Sequence, residues 1–203
     1  MNRIITIGRE FGSGGREVGK RLAEKLGFAY YDKEIIEEIS KRTNLATDYV
    51  KQIVEKRPIV YYPITIGMTL HNDYSDVMIS NQTSIISELS NTLNDMADTS
   101  DCVIVGRCAD SLLRNKKPLR IFVYGELEDK IARCRLKAPE NENLSDKELV
   151  KMLTKVDKNR AKYYENMTGN RWGAKENYDL CINTSSIDIK DACSMIAALV
   201  EGK

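Results

Sequence analysis

Histidine is almost absent: His71 is the only one in 203 residues. A zinc site or a Ser-His-Asp triad therefore has little material to draw on, and His71 reads as a solvated surface residue. Net charge is nearly absent too. Lys+Arg number 31 and Asp+Glu 30, leaving a formal +1, so no global field points to nucleic acid or a membrane surface. Long apolar runs are missing. The longest are of strand length, far short of a membrane span, and the N-terminus enters a strand at once, so no signal peptide is expected. The five cysteines (Cys102, Cys108, Cys134, Cys181 and Cys193) are odd in number and lack paired spacing. Free thiols in a reducing cytoplasm are expected. The remaining composition, 42% hydrophobic and 30% charged, describes an ordinary globule with one sizeable core.

The most informative stretch is Ile4 to Gly27, IITIGREFGSGGREVGKRLAEKLG. A β-branched run (Ile4, Ile5, Thr6, Ile7) stops at Gly8. The cluster Gly12, Gly14, Gly15 follows, and a helix begins with Val18, Gly19, Leu22, Ala23 and Leu26 on one face. Gly27 supplies its left-handed stop. Strand, glycine loop and helix in that order make an anion cradle, because backbone N–H groups converge where side chains are missing and the helix N-terminus adds positive partial charge. The pattern G-x-x-x-x-G-K-[ST] is not met. With Gly12-Ser13-Gly14 as its G-x-G, the lysine position is Gly15, Arg16 follows, and Arg9 stands at the first glycine. In the other register Arg16 replaces the lysine and Glu17 the metal-facing hydroxyl. Arg16 can supply the charge as a planar fork. A glycine turn that merely packs helix against strand is the bland alternative.

Further along, Phe28 to Tyr31 reads as a strand ending at Asp32, and 33–56 as two short helices. Residues 57–80 hold Pro58, Pro63, Gly67, Tyr61, Tyr62 and Tyr74 and read as an irregular excursion. Ile85, Ile86, Leu89, Leu93, Met96 and Ala97 make a helical stripe. Cys102 to Val105 is a buried-type strand leading to Gly106-Arg107, and Leu119 to Tyr124 is another, followed by a helix from Glu126 to about Lys137. Residues 139–144 are polar and should be exposed. Ser145 and Glu148 form a capping box opening a helix to about Asn166. Tyr178 to Asn183 is a strand, and Ile189, Ala192, Cys193, Ile196 and Val200 close an amphipathic helix. Strands alternating with helices predict an α/β fold with a parallel sheet covered on both faces. Ligands in such sheets sit beyond the strands' carboxyl ends, where Gly8, Asp32 and Gly106-Arg107 are expected.

Phosphoryl transfer needs several phosphates neutralised and aligned, so arginines should converge on one cleft. Arg107, directly after a buried strand, is the strongest candidate. Arg133 and Arg135 lie two apart on one helix and cannot both face a cleft. Asp157, Arg160 and Tyr164 share a helix face, either as a site or as a local ion pair. Trp172 reads as a packing anchor, with base stacking as the alternative.

These stretches together resemble the cytidylate kinase-like family of the P-loop nucleoside monophosphate kinase superfamily. The resemblance runs from IITIGREFGSGGREVGKRLAEKLG through DCVIVGRCAD to KVDKNRAKYYENM and YDLCINTSS. It implies a P-loop kinase-type sheet with a core at 1–32, 101–138 and 167–203, an acceptor-binding insertion at about 33–100 and a lid at about 139–166. It also implies ATP and Mg2+ as cofactors, nucleotides as partners and CMP or dCMP as acceptor. The family's G-R-D, whose arginine binds the acceptor, is matched by Gly106-Arg107. Its D-x-x-R, on cytosine or its phosphate, is matched by Asp157 and Arg160, and its aspartate after the second strand by Asp32. Arg133 and Arg135 are similar to its lid arginines. By this resemblance Gly12, Ser13, Gly14, Gly15, Arg16 and Glu17 bind ATP, Asp32, Arg107, Asp157 and Arg160 bind the acceptor, and Arg16, Arg133, Arg135 and Arg160 act in catalysis. Metal ligands are unassigned. The chain departs from the family at Val105, Cys108 and Lys33, where an acid, an aspartate and a serine are usual. Those departures and the 57–80 segment keep open a kinase for another small acceptor, and the missing loop lysine keeps open a nucleotide-binding regulatory protein with reduced catalysis. Monomer and homodimer are both open.

Overall fold

The computed structural model describes residues 2–55, 73–138 and 144–202, apart from the side chains of 55 and 73–81. β1 (Ile4–Arg9), β2 (Ala29–Tyr31), β3 (Cys102–Val105), β4 (Leu119–Tyr124) and β5 (Leu180–Asn183) form one sheet in the order β2-β3-β1-β4-β5. Every pairing is parallel. A parallel sheet buried on both faces needs apolar residues in both directions, and β1 and β3 supply them. Ile5, Ile7, Val103 and Val105 enter one cluster with Val18, Leu22, Ala192 and Ile196. Ile4, Cys102 and Ile104 enter the other, with Ile35, Ile39, Ile85, Leu89 and Leu93. Burying each such side chain is worth about 1.5–3 kcal/mol.

The helices follow from the same patterning. α1 (Gly15–Leu26) ends at Gly27, whose φ of 66° fits its place as the left-handed cap, and α8 (Ile189–Glu201) packs beside it. On the opposite face lie α2 (Glu34–Thr43), α3 (Thr47–Glu55), α4 (Asp73–Thr99) and the short α5 (Ala109–Leu112). α6 (Leu127–Lys137) follows β4, and α7 (Asp146–Thr168) opens on the expected capping box.

The structure corrects six boundaries. β2 starts at Ala29 rather than Phe28, and α6 starts at Leu127, with Glu126 as its N-cap. β1 runs through Gly8 to Arg9, so Arg9 rather than Gly8 closes the strand. β5 starts at Leu180, since Tyr178 and Asp179 precede the ladder. α7 continues past Asn166 to Thr168, up to the left-handed Gly169. Residues 73–80, expected to be irregular, are the first turns of α4. The breakers Pro58, Pro63 and Gly67 all precede 68, and neither glycine nor proline occurs between there and 105, so nothing interrupts the helix. Pro58, Tyr61, Tyr62, Pro63, Gly67, His71 and the polar stretch 139–143 lie outside the described residues. The five cysteines are free thiols, and among the described residues no helix is long and apolar enough to cross a membrane.

Candidate active site

The loop between β1 and α1 is held from three sides. Gly12 and Gly14 adopt φ of 77° and 80°, a conformation only glycine takes cheaply. A Cβ on Gly12 would lie 2.9 Å from the Lys130 carbonyl oxygen, and one on Gly14 2.8 Å from Ile189 Cδ1. Thus α6 and α8 press directly on the loop. From the third side the Phe11 N–H donates to Asp157 Oδ1 at 2.8 Å, which ties α7 to the loop. Inside the turn, the Ser13 hydroxyl donates to the Glu10 carbonyl at 2.9 Å, and the Thr184 hydroxyl donates to the Ser13 carbonyl at 2.7 Å. α1 then begins with Gly14 as N-cap and no side-chain cap. Its first N–H groups therefore point outward with no intrahelical acceptor, a geometry that binds anions.

Beside this loop stands an arginine to which the sequence pattern assigns no site role. Arg9 leaves the end of β1 and covers Gly15, where an added Cβ would lie 2.5 Å from Arg9 Cβ. Its guanidinium then crosses Gly106, where any Cβ would overlap it, and reaches Asp32 at 3.7 Å. Arg9 is 13% exposed. Burial first, and then the neighbouring Arg160 and Arg107, lower its pKa to about 9. Asp32, at the end of β2, is 4% exposed and also binds Arg16 Nε at 2.6 Å. One buried carboxylate is thus shared between two guanidiniums.

Arg107 is buried and donates to the Val54 carbonyl at 3.4 Å. Gly106, Arg107 and Cys108 are all left-handed, with φ of 79°, 58° and 53°. For the two non-glycine residues this backbone is strained, and it fixes where Arg107 emerges from β3. Arg160, on α7, donates to the Arg9 carbonyl at 3.2 Å and to Asp157 at 3.3 Å, with its guanidinium 5.6 Å from the centre of the Phe11 ring. Asp157 therefore serves both the loop and Arg160. Burial raises its pKa, opposed by the Phe11 N–H and by Arg160.

Arg9, Arg107 and Arg160 line one cavity of about 180 Å³, at the carboxyl ends of β1 and β3. Aromatic rings form much of the remaining wall, from Tyr163, Tyr164, Tyr178 and Trp172. Trp172 meets Phe122 edge to face at 5.3 Å and packs against the Tyr163, Tyr164 and Cys108 cluster, so it is an anchor that also walls the cavity. Asp110, likewise lining it, is 8% exposed and accepts the Tyr164 hydroxyl at 2.6 Å. Burial raises its pKa, with the Tyr164 bond opposing. Arg9 and Asp110 are the additions to the candidates legible in the sequence. An arginine closing a buried strand was the available signal for Arg9; Asp110 had only its place two residues beyond Cys108.

The remaining candidates are spread around the loop. Arg133 lies beside Gly14 and donates to the Thr184 carbonyl, whereas Arg135 pairs with the exposed Asp146 and is not brought to the cavity. Glu17 is held by Lys137 at 2.7 Å and Arg21 at 3.0 Å, and its pKa is lowered chiefly by the Lys137 bond. Glu10 binds Lys130 at 2.8 Å. For a triphosphate the open helix start and the glycine loop fit. For a protein-bound Mg2+ the donors do not fit: Arg16 or Glu17 replaces the usual hydroxyl, both loop carboxylates carry lysine partners, and no group of three metal-ligating side chains occurs among the described residues.

Comparison with known proteins agrees with this architecture. Residues 4–186 match the cytidylate kinase-like family. An uncharacterized protein from Eubacterium ventriosum ATCC 27560 superposes with TM-score 0.72 at 27% identity, covering 100% of both chains. Shikimate kinase from Bacteroides thetaiotaomicron gives 0.57 at 16%, covering 98% of each. Shikimate kinase from Acinetobacter baumannii in complex with shikimate gives 0.50 at 16%, covering 100% of this chain and 94% of that one. No curated protein matches the sequence. The fold is that of the P-loop kinases.

Proposed function

The chain belongs to the cytidylate kinase-like family, and from that premise we propose that it transfers the terminal phosphoryl group of ATP to a small anionic acceptor, first of all CMP or dCMP. The observation that carries this reading is the convergence of Arg9, Arg107 and Arg160 on one aromatic cavity beside an open glycine loop. Asp157 pairs with Arg160, Asp32 is shared by Arg9 and Arg16, and Asp110 lies in the wall, so four guanidiniums (with Arg107) outnumber the three carboxylates and leave net positive charge for phosphate oxygens. A planar base suits the tyrosine and tryptophan walls. Gly12 to Glu17 receive the triphosphate, with Arg16 at the loop's exposed end and Arg133 beside Gly14. Arg107 and Arg160 hold the acceptor phosphate. Asp157 orients Arg160, and Asp32 positions Arg9 and Arg16. The reaction needs no general base, because the acceptor is already an anion. On this reading 33–100 form the acceptor side and 139–166 the lid side of one catalytic unit. Arg135 would act from the lid side, where it pairs with Asp146. The cytoplasm supplies both nucleotides and a reducing medium for the free thiols.

A second acceptor class is favoured by one feature: Val105, Cys108 and Lys33 replace the acid, aspartate and serine usual in relatives, so a small hydroxyl-bearing acid could take the cavity instead. ADP release measured over CMP, dCMP, UMP, AMP and small hydroxy acids separates the readings. Turnover with CMP supports the first, and turnover only with a hydroxy acid supports the second. Tight ATP binding with no turnover on any acceptor makes the protein a nucleotide-binding regulator.

A further inference from the structure

The loop lacks its lysine, and the structure shows what fills the space. An ordinary P-loop has glycine at the position of Arg9 and lysine at the position of Gly15. Here the two residue types are exchanged. The exchange is physically coupled: any side chain at Gly15 would run into Arg9 Cβ at 2.5 Å and Arg9 Cγ at 3.1 Å. Either position can carry a long cationic side chain, but not both. From Gly15 the Arg9 stem leads across Gly106, where a Cβ would overlap the guanidinium, to Asp32. The charge is thereby placed between the glycine loop and the cavity shared with Arg107 and Arg160.

We propose that Arg9 is the catalytic cation of this enzyme, contacting the phosphoryl group as it passes from the loop to the acceptor, and that Gly15 is glycine to give Arg9 room. This rests on the kinase reading above. Arg16 is less well placed for that role, since its side chain is 59% exposed and its Nε is held by Asp32 at 2.6 Å. Arg9 is 13% exposed, and its Asp32 contact is 3.7 Å. A charge in that position is poorly compensated until an anion arrives, which is what a residue binding a transient phosphoryl group requires.

The test is a restored loop. Arg9→Gln keeps most of the stem over Gly15 and removes the charge; kcat should fall about 100-fold, the typical cost of losing one donor aimed at developing charge. Arg9→Gly should fall at least as far. Arg9→Gly with Gly15→Lys rebuilds the ordinary arrangement and should recover at least about tenfold over Arg9→Gly, the scale of one charge-assisted hydrogen bond. The inference is overturned if Arg9→Gln keeps kcat within threefold of the parent, or if the double variant melts like the parent yet gains nothing. Should either glycine variant fail to fold, Arg9→Gln against Arg9→Lys decides, the lysine variant being expected to retain more activity. Calorimetry with AMP-PNP and ADP separates this idea from the kinase reading. If the parent turns over no acceptor, the kinase reading fails. Arg9 is then still tested by whether Arg9→Gln weakens AMP-PNP more than ADP: a selective loss supports a contact to the terminal phosphate, and equal losses overturn it.

Discussion

Gly106→Ala separates positioning of Arg9 from stability of the fold. Gly106 has φ of 79°, where an alanine costs about 1–2 kcal/mol. Its new methyl would also overlap the Arg9 guanidinium. That obstacle is the far end of a flexible side chain, so the collision is relieved by Arg9 swinging off Gly106 and away from Asp32, not by movement of the sheet. Stability should therefore fall by little more than the backbone strain. In a chain of this length that is about 2–8 °C in Tm. Activity should fall far more, by about 100-fold, because a charge aimed at the transferring group is displaced. Thermal unfolding read by intrinsic fluorescence and ADP release measured on the same preparations give both numbers. The reasoning is refuted if activity stays within threefold of the parent while Tm falls as expected, since Arg9 would then have moved without consequence. A Tm loss beyond about 15 °C, roughly twice the upper bound from strain alone, would refute the claim that only the guanidinium yields.

Three further outcomes are expected. Asp157→Ala removes the acceptor of the Phe11 N–H and the partner of Arg160. It should cost about 1–3 kcal/mol of unfolding free energy and weaken AMP-PNP binding in calorimetry, and Asp157→Asn, which keeps an acceptor oxygen, should restore most of the binding. Asp110 has a pKa raised above its usual 3.8 by burial, so the folded protein binds that proton more tightly than the unfolded chain does. The resulting stability is complete below 3.8 and is lost as pH rises through the folded value. Asp110→Asn removes this dependence, and the variant's Tm relative to the parent should climb as pH rises above 3.8; a flat difference would contradict it. Arg16→Ala should leave the fold intact, because Arg9 stays beside Asp32, while ADP release falls about tenfold or more; unchanged ADP release would remove Arg16 from the mechanism.

Legibility in the sequence followed the range of the interactions involved. The strands were readable because β-branched runs such as Cys102 to Val105 are buried on both faces, and the Ser145–Glu148 box because both bonds lie within one helical turn. Arg107 was visible for a local reason as well, a charge directly after an apolar strand. Arg9 escaped because its position in the loop pattern belongs to a glycine. Its significance comes from Gly106 and Asp32, far along the chain and joined to it only by the β2-β3-β1 order. Asp157 and Arg160 read equally well as a local ion pair, and that pair is present. What spacing could not reveal is that the same carboxylate also accepts from the glycine loop 146 residues away. Residues 73–80 look irregular in sequence only by association with the prolines upstream, and they carry no breaker of their own.

The most direct measurement is a crystal structure with AMP-PNP and CMP bound together. The account predicts the triphosphate wrapped by the amides between Phe11 and Glu17, the CMP phosphate on Arg107 and Arg160, and the Arg9 guanidinium between the two. A triphosphate bound away from that loop, or a nucleotide pair with Arg9 still turned to Asp32 and touching neither, would contradict it.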